Sequence, residues 1–469
     1  MKRKYYPDHP KPITRRDFLS QGIFSFSALT FLPTPLGLIR NAWADTQCDG
    51  GGGKYIPFLV FDCAGGAMLP SNFLVTDQGG ELLPSYSQLG WEPKNTPDSL
   101  NKDFGLPMAK KESKILEGIL ASASAEARLR LRMGSFCHSA QSDNNENPLN
   151  GAALVAKFGY KGKTISQAIG TQNSASGGNS ALAMPPDSFK ALYVPTIDVL
   201  KDSVALSKDS ALGALSPNAL GNLFSSGNRL SKSQLLGLGS FVSGKLLSQL
   251  TECSYLENEK KSKEGASGVD PRDDAQFQQV YNINQNSLAG AIEVVSAGIV
   301  KNVLSGISGP GVITIGGCDY HQSDQSKSDA KDREIGVQVG RAVEAAHRTK
   351  QPLFFQIITD GGCSNREGTR IWVSDANEKC MTIIGYYRPE GAVAQRRIQV
   401  GYFTKGQGAA KDALTGLGNS PLKVTASVFA NYLSLHVPQN QLSSEFFKIV
   451  PSNLFTGSDE LDQVLIFGA

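Results

Sequence analysis

Histidine is scarce in this chain: five residues in 469, alongside three tryptophans and six methionines. So few imidazoles argue against a site built on several nitrogen ligands, such as a two-zinc centre. The seven cysteines include no C-x-x-C pair, which removes the common thiolate-zinc and dithiol redox motifs. No apolar run reaches the ~20 residues that a membrane-spanning helix needs. Nor does one charge dominate, with 46 basic against 43 acidic residues and a formal charge of +3. Residues 1–44 hold seven of the basic and two of the acidic residues, so the remainder carries −2. Without a lysine-arginine patch, neither nucleic acid nor an anionic membrane is an expected partner.

What is present begins with an address. Lys2, Arg3, Lys4 and Lys11 precede Thr14-Arg15-Arg16-Asp17-Phe18-Leu19, an apolar stretch from Ile23 to Leu32 follows, and Ala42-Trp43-Ala44 closes the segment. A charged start, a short apolar centre and a small-x-small site are the three parts of a secretory signal. The arginine pair resembles the twin-arginine export consensus. It implies transport of a folded protein by the twin-arginine translocation machinery, cleavage by signal peptidase, and work in a bacterial periplasm. Ser25, Ser27, Thr30, Pro33 and Pro35 interrupt the apolar stretch, so no stable membrane anchor is expected. An oxidising compartment permits disulfides, expected here ahead of zinc thiolates, and an odd cysteine count leaves at least one thiol unpaired within the chain.

Beyond a glycine-rich linker at 45–54, residues 55–469 read as one α/β domain. Strands are predicted over Tyr55–Phe61, Leu129–Phe136, Gly311–Ile315, Pro352–Thr359, Cys380–Tyr387 and Arg396–Phe403. Their short, continuous apolar runs suit a parallel sheet buried on both faces. Helices are predicted over 112–128, 327–348 and 421–436, giving the strand–helix–strand order of a mostly parallel sheet. Residues 200–305 lack strand patterning and read as a helical insertion, with helices at 231–252 and 275–304 around a charged loop at 254–274.

Ligands of open α/β sheets bind outside the carboxyl ends of the strands. The polar residues there are Asp62, His138, Ser139, Ser142, Asp143, Asp319, His321 and Asp360. Aspartates ending three strands bring the oxygen donors and the charge that a hard cation needs. Asp319 and His321, two apart, face alike on a strand or share an ion in a loop. Gly361 and Gly362 let a ligand approach the backbone beside Asp360. Ser139 or Ser142 would be the nucleophile if a cation lowered a hydroxyl pKa. Each residue has an ordinary alternative: a turn cap for Asp62, a surface turn for Asp319 and His321, solvated loop positions for the serines.

The strand Phe58 to Asp62, its Ala64-Gly65-Gly66-Ala67 turn, Gly316-Gly317-Cys318-Asp319-Tyr320-His321 and Ile357-Ile358-Thr359-Asp360-Gly361 together resemble a family of twin-arginine-exported bacterial proteins distantly related to alkaline phosphatases and sulfatases. The resemblance spans most of 55–410. It implies an alkaline-phosphatase-like α/β fold and a metal-dependent hydrolase of phosphate or sulfate esters, with a small-molecule or envelope ester as substrate. Asp62, Asp319, His321 and Asp360 would be metal ligands, and Ser139 or Ser142 would stand near the nucleophile position. Two departures count against catalysis. Gly361 stands where active relatives carry histidine, and Ser374-Asp375-Ala376-Asn377 lacks the later imidazole. A single Mg²⁺, Ca²⁺ or Mn²⁺ is therefore expected over a two-zinc site. The competing expectation is a non-catalytic envelope binding or assembly factor, and a redox enzyme using the strand-end cysteines Cys63, Cys137, Cys318 and Cys363 ranks third.

Overall fold

A computed structural model of the chain describes residues 55–91, 100–140, 148–204 except 166 and 172–190, scattered positions between 218 and 229, and 268–468 except 368, 412–416 and 418–419. The expected signal and linker, Ser142, Asp143, Cys48, Cys253 and the helix expected at 231–252 lie outside the described residues. The chain divides into two units, 1–54 with 206–265 and 55–205 with 266–469. All elements named below belong to the second.

Its centre is an eight-stranded sheet. In chain order the strands are β1 (Phe58–Cys63), β2 (Leu131–His138), β3 (Ile169–Gly170), β4 (Leu192–Tyr193), β5 (Gly311–Ile315), β6 (Leu353–Thr359), β9 (Cys380–Tyr387) and β10 (Gln399–Val400). Between β6 and β9 lies a two-stranded ribbon, β7 (Cys363–Asn365) and β8 (Trp372–Asp375). The spatial order is β10-β2-β9-β6-β1-β5-β3-β4. Within this sheet β9 is antiparallel to both neighbours, and every other pairing is parallel. The α/β class with a mostly parallel sheet is therefore as expected. The register runs Cys63↔Ile315 and Cys63↔Thr359, so β1, β5 and β6 end level with one another.

Strand alternation divides the core. Leu59, Phe61 and Cys63 join the apolar layer on one face, while Phe58 and Val60 join the layer on the other. The helices are α1 (Lys114–Ser122), α2 (Ala125–Leu129), α3 (Ala152–Phe158), α4 (Ile197–Val204), α5 (Ala275–Tyr281), α6 (Ile292–Leu304), α7 (Gln325–Thr349), α8 (Pro421–Ser434), α9 (Gln439–Phe446) and α10 (Ser458–Gln463). Helices α1, α5, α6 and α7 cover the first face, and α3, α8, α9 and α10 the second. No described helix is long and apolar enough to cross a membrane.

Four sequence expectations are revised. The helix expected at 275–304 is two, α5 and α6, because Asn282 turns left-handed and ends α5. The helix expected at 112–128 is two, because Ala123 is extended and the Ser124 hydroxyl caps α2 at Ala127 N–H. The strand expected over Arg396–Phe403 shortens to Gln399–Val400, where the Gln399 amide bonds the backbone of Thr76 on both sides and Gly401 turns left-handed. The expected insertion does not extend to 305. Helix α6 is buried along most of its length and packs on the sheet, as Val294, Ile299 and Val303 belong to the first layer.

Helices α1 and α7 meet backbone to backbone through glycines. A Cβ on Gly336 would lie 2.1 Å from the Ile115 carbonyl oxygen, and one on Gly118 would lie 2.4 Å from that of Arg333. Neither neighbour is a flexible side-chain tip, so the helices must separate to admit a methyl group. Gly336→Ala is expected to lose roughly 1–3 kcal/mol in urea unfolding. An unchanged midpoint would show that this contact does not exist in solution.

Candidate metal centre

The turn after β1 carries the site, and it is stitched to both neighbouring strands. Ala64 N–H donates to Ile315 O (3.1 Å), and Cys318 N–H donates back to Ala64 O (3.1 Å). On the other side, Asp360 N–H donates to Gly65 O (3.4 Å), while the Thr359 hydroxyl donates to Gly65 O (2.8 Å) and accepts from Ala67 N–H (2.9 Å). Gly65 is required on two counts. Its φ is +115°, and a Cβ there would stand 2.3 Å from Asp319 N.

After β5 the chain alternates inward and outward. Cys318 and Tyr320 are fully buried, while the Asp319 and His321 side chains are 53% and 41% exposed. The inward anchor is specific. Tyr320 donates its hydroxyl to Asp332 Oδ1 on α7 (2.7 Å). The other oxygen of Asp332 accepts from Arg370 Nη2 (2.6 Å) and Asn72 Nδ2 (2.8 Å). Asp332 is wholly buried, and that burial holds its carboxyl above the ordinary range against the opposing pull of Arg370. Nothing in the sequence separates Asp332 from the other polar residues of its helix.

These turns enclose a pocket of about 440 Å³, walled by Gly65–Gly66, Asp319, His321, Asp360, Gly361–Gly362, Asp375 and Asn377. Ligating atoms of Asp319, His321 and Asp375 lie within 4.8 Å of one another. His321 Nδ1 is 2.5 Å from Asp319 Oδ1, which also accepts the His321 backbone N–H (3.1 Å). That hydrogen bond, then the charges of Asp319 and Asp375, raise the imidazole pKa above its ordinary value. Asp375 ends β8, opposite Cys363 of β7. Two carboxylates and one imidazole are an oxygen-rich donor set for a hard or borderline divalent ion, and three protein ligands leave coordination positions open.

Asp319, His321 and Asp360 thus share one pocket, with Asp360 in its wall but outside the converging trio. Asp62 stands elsewhere. Alternation turns it to the face of Phe58 and Val60, where it is fully buried and its Oδ2 accepts from the Thr314 hydroxyl (3.4 Å). Ser139 is buried outside the pocket wall, and its hydroxyl bonds no described residue. The carboxylate that sequence reasoning did not select as a ligand is Asp375. Its signal was the Ser374-Asp375-Ala376-Asn377 stretch, passed over because it lacks the imidazole that the resemblance leads one to expect.

His138, at the end of β2, is fully buried and not in the pocket wall. Its Nδ1 lies 3.1 Å from Ser139 O, which accepts only, so Nδ1 carries the proton and Nε2 accepts from the Thr382 hydroxyl (3.0 Å). The five described cysteines are all free and buried, so the expected disulfides are not formed among them.

Two predictions follow from the buried ionisable groups. Burial pushes the His138 imidazole down from 6.5 to about 4. Its folded pKa lies below the unfolded one, so its contribution is complete above 6.5 and is lost as pH falls toward 4. His138→Gln should flatten the stability–pH curve in that window by up to roughly 3 kcal/mol, and identical slopes for the two proteins would refute a buried neutral imidazole. Asp332→Ala leaves Arg370 with Asp329 alone (2.8 Å) and deprives Tyr320 and Asn72 of their buried acceptor, and should cost about 2–4 kcal/mol in denaturant unfolding. A loss below ~1 kcal/mol would mean that Tyr320 is not anchored there.

No protein-family model matches the chain, and no curated protein matches it.

Proposed function

We propose that the strand-end pocket holds one divalent cation, Mg²⁺, Ca²⁺ or Mn²⁺, on Asp319, His321 and Asp375, and that the chain uses it in the periplasm to hydrolyse phosphate or sulfate esters on an alkaline-phosphatase-like sheet. The observation that carries the reading is convergence: three ligating atoms from two separate turns within 4.8 Å, beside a pocket with room for a small ester. A bound divalent ion supplies Lewis-acid polarisation of an ester oxygen. The chain's own residues orient the ligand. Gly65–Gly66 and Gly361–Gly362 bring bare backbone to the pocket wall, and Asn377 offers a neutral amide there.

A second reading, a non-catalytic envelope binding or assembly factor, is favoured by the charge of the wall. Three carboxylates line it with no lysine or arginine among the described lining residues, a poor setting for a dianionic ester.

Calorimetric titration of the full chain with Mg²⁺, Mn²⁺ and Ca²⁺, beside turnover of p-nitrophenyl phosphate and sulfate, tests both. The expected result is one bound ion, lost at least tenfold in affinity in Asp319→Ala and Asp375→Ala, with unfolding midpoints shifted by less than ~0.5 kcal/mol. Binding with turnover supports the hydrolase, and binding without turnover supports the second reading. Absence of binding by the unsubstituted chain sinks the cation site itself.

A further inference from the structure

Two of the buried cysteines are each other's neighbours. Cys63 is the last residue of β1 and is level with Ile315, the last residue of β5. The chain beyond Ile315 turns back at once, so that Cys318 N–H bonds Ala64 O (3.1 Å) and Cys318 Sγ reaches Ile315 O (3.2 Å). The backbone of Cys318 is thus held within hydrogen-bond distance of the residue after Cys63, and backbones held close together are what a disulfide requires. Both are fully buried in the same apolar layer, and the neighbouring Cys318 thiol, with burial, pushes the Cys63 thiol up. Two other described cysteines face different partners: Cys363 donates to Gly66 O (3.3 Å), and Cys380 approaches Thr359 O (3.8 Å).

We propose that Cys63 and Cys318 are a cystine site, joined by exchange with a small-molecule disulfide of the glutathione type. One sulfur attacks the external disulfide and releases one thiol. The second sulfur then displaces the other half. The two cysteines give up two protons and two electrons, one S–S bond forms within the chain, and the external disulfide leaves as two thiols. The bond ties the end of β1 to the turn after β5, the two segments that carry Gly65–Gly66 and Asp319–His321. Because both sulfurs are fully buried, exchange is slow in the folded chain and proceeds when this edge of the sheet opens or the chain is refolded. Once formed, the bond is equally shielded from reductants. The inference is independent of whether the pocket holds a cation.

The test is peptide mapping of the full chain after refolding from urea with oxidised glutathione, against a parallel sample refolded with reduced glutathione. Both are quenched by denaturing alkylation with N-ethylmaleimide. The expected result in the oxidised sample is joint loss of label at Cys63 and Cys318, with one linked peptide pair containing both. Label should return at both in the reduced sample, and oxidised Cys63→Ser should give no linked peptide, with Cys318 labelled or carrying a glutathione adduct. The readout needs only the unsubstituted chain, so a variant that fails to fold does not obscure it. Full labelling of Cys63 and Cys318 after oxidative refolding, separate glutathione adducts on each, or a link from either to another cysteine would each overturn the proposal.

Discussion

The turn at Ala64–Ala67 is held by hydrogen bonds to the ends of both β5 and β6, and the arrangement of the pocket depends on that double attachment. A central parallel strand has a partner on each side, so its terminal turn can be stitched to both where those partners end level. The stitching leaves no room above Gly65, where even a methyl group would meet the backbone of Asp319. Three strand ends are thereby fixed relative to one another before any side chain contributes. Side chains then refine what the backbone has set, with Thr359 bonding the turn from one side and the Tyr320–Asp332 contact holding the β5 loop from the other.

That Tyr320 anchor links the site to the layer behind it. Asp332 belongs to α7, which packs on α1 through glycines, and the same carboxylate gathers Arg370 from the segment that carries Asp375. One buried acid therefore touches the loop bearing two members of the trio and the stretch bearing the third. Its charge is tolerated because each oxygen has a partner and one partner is a guanidinium. The exposed residues that face the pocket are held by residues that never reach it.

Much of the sheet was legible in the sequence. Gly311–Ile315 and Cys380–Tyr387 begin and end where their apolar runs do, because strands buried on both faces leave no alternation to misread. The break at Ser124 was less visible, since a serine after a helical run serves as well in a helix as at its cap. The candidate site was partly legible for a similar reason. Asp319, His321 and Asp360 could be placed at strand ends from local pattern alone, and they share the pocket. Asp62 was equally visible as a strand-end acid, but which face it takes depends on its neighbours across the sheet. Asp375 lay in the Ser374–Asn377 stretch, noted for its missing imidazole, and its approach to Asp319 and His321 depends on how the β7–β8 ribbon folds back, which no local pattern encodes.

The orientation of β9 has one more consequence. Antiparallel neighbours in a sheet can be joined by a two-residue turn, and β6 and β9 are such neighbours. The chain nonetheless places residues 360–379 between them, including the ribbon of β7 and β8. Topology does not call for that length. The stretch supplies Asp360, Gly361–Gly362, Asp375 and Asn377 to the pocket wall and Arg370 to Asp332. It is a graft in the gardener's sense: a separate shoot set into a stock that would stand without it, and the part of the molecule in which a new specificity can arise while every rung of the sheet stays in place.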